Sequence, residues 1–245
     1  MLSFLLVAAA YLLGAFYLQR PKIVGRPSGI GKKYAVSMIL YIIPFLVTIL
    51  ILSDSLLTAV LFLLTVLATH LIYFTGCGRN IPSERGGLPV FACAHTANVI
   101  LLFLCAYVID SESMLYSRVT DLLSSLFGNS ADLYLYLLLS VLICVAPASE
   151  LVRRTMDHFC PEAASCDRKD DSDGLGATIG VYERIIILIL GFMGWYVAIA
   201  FVITAKSIAR FKQFEDRRFV ERFMIGTFTS ILIPIVLLFI MEQIF

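Results

Sequence analysis

The sequence predicts an all-α fold: a polytopic transmembrane helical bundle of six or seven membrane segments, forming one transmembrane domain over residues 1–245. Three observations predict it. Hydrophobic residues make up 60% of the chain and charged residues 15%, with a mean hydropathy of +0.90; a soluble domain of this size needs far more polar surface. The apolar residues fall into runs approaching the ~20 that a helix needs to cross a bilayer. Lys and Arg gather in a few of the connections between runs, which is how membrane topology is written into a sequence. The formal net charge of +1 gives no electrostatic footprint for nucleic acid.

The first segment, Leu2–Leu18, has no Lys or Arg before its apolar run. It lacks the positive region that opens a signal peptide and reads as a first span with its N-terminus outside. The remaining candidates run Ala35–Leu52, Leu56–Phe74, Leu88–Ile109, Leu133–Ala148, Ile185–Ala205 and Phe223–Met241. The sixth is the cleanest, bounded by Glu183 and Arg184 at one end and Lys206 at the other. The fifth is the shortest and is followed by Pro147. Extramembrane loops are expected at about 110–132 and 149–176; neither is long enough to build a core of its own. Within the first loop, Met114–Phe127 reads as a short amphipathic helix, with Leu115, Val119, Leu122 and Leu126 on one stripe. Such a helix lies in the interface or against the bundle.

Charge sets the expected orientation. Arg20, Lys22, Arg26, Lys32 and Lys33 place the first connection in the cytoplasm, and a second basic group, Lys206, Arg210, Lys212, Arg217, Arg218 and Arg222, places the connection before the last segment there too. The 110–132 loop holds only Arg118 and belongs outside. Seven crossings would put the second group outside. The conflict vanishes if one segment does not cross, and the expectation is that Leu133–Ala148 is re-entrant or sits on the outer face. Six crossings then leave both termini outside, with Arg153, Arg154, Arg168 and Lys169 standing against that choice.

Polar residues at membrane depth are the natural pointers to a site, because lipid does not solvate them. His70 near the end of the third segment and His95 near the start of the fourth reach similar depth in an antiparallel hairpin. Thr69 and Thr96 adjoin them, and Asn98 lies one turn from His95. Two imidazoles at one depth fit proton-linked polarity, head-group binding or interhelical packing. A metal centre needs further ligands, and no Asp or Glu lies inside these segments. Neither a metal nor another cofactor is therefore expected. A second cluster marks the ends of the sixth segment: Glu183, Arg184, Lys206, Ser207 and Arg210. There Glu183 or Arg184 is expected to reach another helix while the other snorkels, and Gly176 and Gly180 are expected to allow close helix approach. Lys206 and Arg210, with Arg20, Lys22, Lys32 and Lys33 of the first connection, offer a surface for anionic lipid head groups. In the last segment Gly226, Thr227, Thr229 and Ser230 form a small polar patch, and Pro234 frees the Ser230 carbonyl and kinks the helix.

Of the six cysteines, Cys93, Cys105 and Cys144 fall in apolar runs, where Cys serves as a small hydrophobe. Cys160 and Cys166 share a polar loop and form a disulfide if that loop faces an oxidising compartment. The Asp-rich run 167–174 lacks the spacing and closing Glu of a calcium loop. No phosphate-binding loop, dinucleotide fingerprint, zinc-protease motif or nucleophile elbow occurs.

Over residues 176–230, Gly180, Glu183, Arg184, Ala205, Lys206, Ser207, Arg210, Phe211, Glu221, Ile225, Gly226 and Thr227 carry a resemblance. In these positions the chain resembles an uncharacterised family of bacterial membrane proteins, the domain of unknown function 3307 family. Earlier, Tyr11–Phe16 is similar to the family's His-Leu-Leu-Gly-Asp-Phe opening, Thr69–Tyr73 to its His-Leu-Leu-Ile-Asp pattern, and Phe91–His95 to a degenerate Asp-Gln-x-x-His element. His70 and His95 match the family histidines. Ala15 and Tyr73 replace its Asp residues, and no Asp precedes His95. The resemblance implies a bacterial cytoplasmic membrane protein, and the missing carboxylates argue against a membrane-embedded metal-dependent hydrolase.

Three functional classes follow. The first is an oligomeric channel, transporter-like protein or membrane effector, and the second a non-catalytic anchor or sensor that recruits a cytoplasmic protein partner. The third is the hydrolase, which trails. Membrane lipids and further copies of the chain are the expected partners.

Overall fold

The computed structural model describes residues 2–18, 30–53, 59–60, 62–68, 87–108, 114–159 and 175–245. Among the described residues the regular structure is helical throughout, with no strand. They pack as two compact units, Met1–Ile81 with Pro89–Leu139, and Pro82–Leu88 with Ser140–Phe245.

In the first unit, α1 (Leu2–Leu12) runs on as a wider π-helical turn, Leu13–Leu18. It is followed by α2 (Ile30–Leu52), a helical stretch over 62–68, α3 (Gly87–Val108) and α4 (Met114–Phe127). The apolar positions of α2 recur at helical spacing, so Tyr41, Phe45, Ile49 and Leu52 share one stripe. That stripe buries itself with Val7, Ala10 and Tyr11 of α1 and with Phe62 and Val66. Gly14 permits the approach of α1 to α2, because a Cβ there would lie 3.0 Å from the Tyr41 carbonyl oxygen. Pro44 sits inside α2 and withdraws one N–H from its ladder; one turn on, the Thr48 hydroxyl donates to the Pro44 carbonyl at 2.9 Å. The amphipathic helix expected over Met114–Phe127 forms. It touches the core through Tyr116, while Leu115, Leu122 and Leu126 of its apolar stripe remain exposed.

The second unit takes the end of α5 (Ala131–Val145), then α6 (Pro147–Phe159), α7 (Leu175–Phe192), α8 (Tyr196–Ala209), a 3₁₀ turn (Phe211–Glu215) and α9 (Arg217–Ile244). Two sequence expectations are corrected here. Residues 149–159 of the expected 149–176 loop are helix, because α5 and α6 follow one another with only Ala146 between them. The Ala146 N–H still donates to Leu142 and the Glu150 N–H to Ala146, while Pro147 has no N–H to offer. The polar turns of α6 are supported along their own surface: Glu150 pairs with Arg153 and Arg154 at 2.7 Å each, and Arg153 with Asp157 at 3.5 Å.

The sixth candidate, Ile185–Ala205, is not one helix. It breaks at Gly194, whose φ of +73° is open to glycine and strained for other residues. The Trp195 N–H donates to the Leu190 carbonyl at 2.8 Å, and the Gly194 N–H to Gly191 at 2.9 Å. This is the Schellman pattern, which ends α7. The chain then turns back as α8, so that Lys206 near the end of α8 reaches Glu183 near the start of α7.

Contacts fix the directions within this unit. Arg184 meets Ser230, and Gly191 lies against Leu238, so α7 and α9 run parallel. Met156 of α6 lies against Gly226 of α9, and Cys144 of α5 clusters with Leu188 and Leu238, so α5–α6 runs antiparallel to both. At the tip of the α7–α8 hairpin, the Tyr196 hydroxyl donates to Glu242 near the end of α9 at 2.8 Å. The C-terminal ends of α6 and α8 and the N-terminal ends of α7 and α9 therefore share one end of the unit. Arg153, Arg154, Lys206, Arg210, Lys212, Arg217, Arg218 and Arg222 all belong to that end. Among the described residues, two helices are long and apolar enough to cross a membrane: Ala131–Phe159, of 29 residues, and Arg217–Ile244, of 28. The segment expected not to cross is thus one of the two with the length to do so.

Candidate functional site

The position of Arg184 follows from helical register. Arg184, Ile187, Leu188 and Gly191 share one face of α7 at i, i+3, i+4 and i+7, and that face is buried. Ile186 and Ile189 on the opposite side are exposed. The guanidinium is consequently carried inward and is only 3% exposed. Its Nε donates to the Cys144 carbonyl at 2.7 Å, Nη1 to the Ser230 hydroxyl at 3.0 Å, and Nη2 to the Ser149 hydroxyl at 2.6 Å.

Both partner segments carry a proline near the point where Arg184 meets them, Pro147 between α5 and α6 and Pro234 inside α9. Cys144 and Ser149 flank the break at Pro147, and Ser149 in turn donates to the Val145 carbonyl at 2.7 Å. Ser230 lies four residues before Pro234, the position whose carbonyl loses its helical donor to proline. One side chain of α7 thereby ties the α5–α6 junction to the proline-containing helix α9. Every recorded partner of Arg184 is neutral. Its neighbour Glu183 turns to Lys206, and Glu150 is held by Arg153 and Arg154. One turn before Cys144 on the same face of α5, the Ser140 hydroxyl is 1% exposed and has no hydrogen-bond partner among the described residues. Thr227, one turn before Ser230, is also buried.

The other predicted site residues are distributed as follows. Glu183 and Lys206 form an ion pair. Lys206 and Arg210 lie over the Phe223 ring, with charge-to-centroid distances of 5.8 and 5.9 Å. Ser207 donates to the Ile203 carbonyl at 3.1 Å within its own helix. Gly176 is exposed, and a Cβ at Gly180 would meet only Arg184. The close approaches are instead made by Gly191, where a Cβ would overlap Leu238, and by Gly226, where it would lie 3.3 Å from the Met156 sulfur. The polar patch of α9 is present, with Thr227, Ser230 and Pro234 on its buried side.

In the first unit, the Tyr11 hydroxyl and His95 Nδ1 are hydrogen-bonded. Phe16 stacks on the imidazole at 4.9 Å, and Phe91 meets it edge-on at 4.1 Å. Asn98 is buried on the same side of α3, and Thr96 is exposed. His70, Thr69, Arg20, Lys22, Cys160 and Cys166 lie outside the described residues, as do the side chains of Lys32 and Lys33. Among the described residues no three His, Cys, Asp or Glu side chains gather into a metal-binding group.

The sequence reading had singled out Arg184 but not Cys144, Ser149 or Ser140 as its surroundings. The available signal was Pro147, which frees carbonyls in the middle of an apolar run and so invites a donor from elsewhere. No family model, curated protein or solved structure matches the chain.

Proposed function

We propose that this is a polytopic integral membrane protein of channel or transporter type, in which the proline-containing helices around Arg184 form the moving, solute-contacting element. One observation carries the reading: the second unit encloses several polar side chains and exposes a row of apolar ones. Arg184, Ser140, Thr227 and Ser230 are buried, while Phe228, Leu232, Val236 and Phe239 of α9 are exposed along one face. Only 33% and 39% of the most apolar stretches of the two long helices are buried within the protein, unlike the core helices of a soluble domain. An ionisable side chain enclosed among helices at that depth is a functional marker in its own right, and interrupted helices are the elements from which transporter sites are built.

The fold of the second unit supports a simpler topology than the sequence expectation. A hairpin of α7 and α8 returns the chain to the side it came from, whether or not its tip reaches the far face. With α5–α6 crossing, the loops after α6 and after α8 both face the cytoplasm, together with every basic residue at that end, as the positive-inside rule asks. The same reading places the protein in a bacterial cytoplasmic membrane as a homo-oligomer in contact with membrane lipids. It retains the resemblance to the domain of unknown function 3307 family, because Glu183, Arg184 and Lys206, which carry that resemblance, are the residues that make the polar contacts.

The test is transport by purified protein in sealed vesicles under ion gradients and an applied potential. Wild-type protein is expected to carry flux, and Arg184→Gln to change its rate or selectivity while keeping the helical content. Absence of flux from correctly inserted protein overturns the proposal. A second reading, an anchor that recruits a cytoplasmic protein, is favoured by one feature: Arg210, Phe211 and Lys212 stand exposed at the basic end. Co-purification of a defined partner that is lost with Arg210→Glu and Lys212→Glu would support it.

A further inference from the structure

Resting on the reading above for the membrane and its sidedness, but not for transport, we propose that α4 lies along the outer lipid surface. Its exposed leucines insert among acyl chains, and lipid packing rather than lipid charge holds it there. At about 100° per residue, α4 divides into three lengthwise sectors. Leu115, Val119, Leu122 and Leu126 form the first, and its three leucines are exposed. Tyr116, Thr120 and Leu123 form the second; they are half-buried, and Tyr116 packs on the core of the first unit. Ser117, Arg118, Asp121, Ser124 and Ser125 form the third, and all are exposed. The helix therefore presents an apolar edge, a protein-facing edge and a polar edge. Because the apolar and polar edges both run its full length, both are satisfied only when the helix axis lies in the plane of a lipid–water boundary.

The chain's own continuity places lipid against the apolar edge. A turn of three residues, Gly128–Ser130, joins α4 to the 29-residue helix Ala131–Phe159, which is long and apolar enough to cross. Phe127 at the end of α4 meets Tyr134 of α5 with ring centroids 5.4 Å apart, and Tyr134 and Leu138 are exposed as well. The end of α4 is thus fixed at the level where that helix begins, the level at which tyrosine rings gather in membrane proteins. With the far end of α6 cytoplasmic, this level is the outer face. A helix of 14 residues is marginal alone in water, so a surface on its apolar edge stabilises it alongside its contact with the core. Charge supplies little of that attraction. Arg118 and Asp121 offset one another, and serines make up the rest of the polar edge. The Thr120, Ser124 and Ser125 hydroxyls donate to carbonyls of their own helix at 2.7 to 2.9 Å. Insertion of the leucines is the term that remains, and it depends on how readily the acyl chains part.

The experiment reads depth by tryptophan fluorescence in the full chain, reconstituted into phosphatidylcholine vesicles that contain a fixed fraction of lipid brominated on its acyl chains. Trp195 is the chain's one tryptophan, so Trp195→Phe gives a silent background for single tryptophans. Leu122→Trp and Leu126→Trp are expected to be quenched strongly by brominated lipid and weakly by aqueous acrylamide. Ser117→Trp and Ser124→Trp are expected to show the reverse. Two positions on each edge keep the test open if one variant loses helical content. Replacing part of the phosphatidylcholine by phosphatidylglycerol is expected to leave the lipid quenching unchanged, whereas fluid saturated chains in place of unsaturated ones are expected to reduce it. Acrylamide quenching of both edges overturns the proposal. So does protection of Leu122→Trp and Leu126→Trp from both quenchers, which a second copy or another protein on that edge would give. Quenching that grows with phosphatidylglycerol overturns the claim that packing and not charge holds the helix. Phe239→Trp, in the exposed row of α9, is the membrane control. Lipid quenching there but not at α4 sinks this proposal and keeps the membrane reading; lipid quenching at neither sinks both. Lipid quenching at α4 without flux keeps the helix in the interface and sinks transport.

Discussion

The centre of the first unit is made of rings and branched side chains: Tyr41, Phe45, Ile49, Leu52, Phe62 and Val66, with His95 enclosed by Tyr11, Phe16 and Phe91. The centre of the second unit pairs a small apolar cluster, Cys144, Leu188 and Leu238, with a charged side chain that bridges the α5–α6 junction and α9. The difference bears on what holds helices together in lipid. Apolar side chains gain little by leaving acyl chains for protein, so packing, close backbone approach and polar contacts do the holding. The first unit uses shape to do this, and its one recorded imidazole contact is enclosed by rings. The second uses close approach at Gly191 and Gly226 and a shared guanidinium, and is the unit better suited to rearrangement.

The largest expected effect is all-or-none. Cysteines introduced at Asp157 of α6 and Lys212 after α8 should react with an impermeant thiol reagent from the same side of sealed vesicles; labelling from opposite sides would break the account of the α7–α8 hairpin. In the first unit, Phe45 is fully buried, and Phe45→Ala should lower stability by about 2–4 kcal/mol, because the lost contacts leave a cavity that the rigid neighbours do not fill. Chemical denaturation in mixed micelles measures this. In the second unit, Gly191→Val should cost about 1–3 kcal/mol by overpacking, and Leu238→Ala in the same chain should recover part of that loss. Absence of recovery would mean that the two helices are not in close contact at that point. The smallest effect is expected from Tyr11→Phe, which removes one hydroxyl from His95 at a cost of about 1 kcal/mol. A larger loss would show that the first unit depends on polar contacts as much as the second.

Much of the fold was legible in the sequence, and the places where it was not have identifiable causes. The helices over Leu2–Leu18 and Ala35–Leu52 and the amphipathic helix at Met114–Phe127 were visible because hydrophobic runs and their period report buried and apolar faces. Ile185–Ala205 looked like a single span because hydropathy averages over Gly194, whose φ > 0 backbone ends α7 after 18 residues. Leu133–Ala148 looked too short because Pro147 was read as a stop, although helix resumes at once as α6. Gly176 and Gly180 had the spacing of a packing motif, but they lie before the part of α7 that meets α9; Gly191 and Gly226, without that spacing, make the contacts.

By itself, the sequence determined that the chain is helical and greasy and where its polar exceptions lie, Glu183 and Arg184 among them. Those are properties of composition and spacing, and each residue carries them wherever it goes. Only the tertiary structure decided that Arg184 faces three neutral acceptors while Glu183 turns to Lys206, and that α7 and α8 double back. Those outcomes depend on which face of one helix meets which break in another, and the groups that meet are 35 to 46 residues apart in sequence.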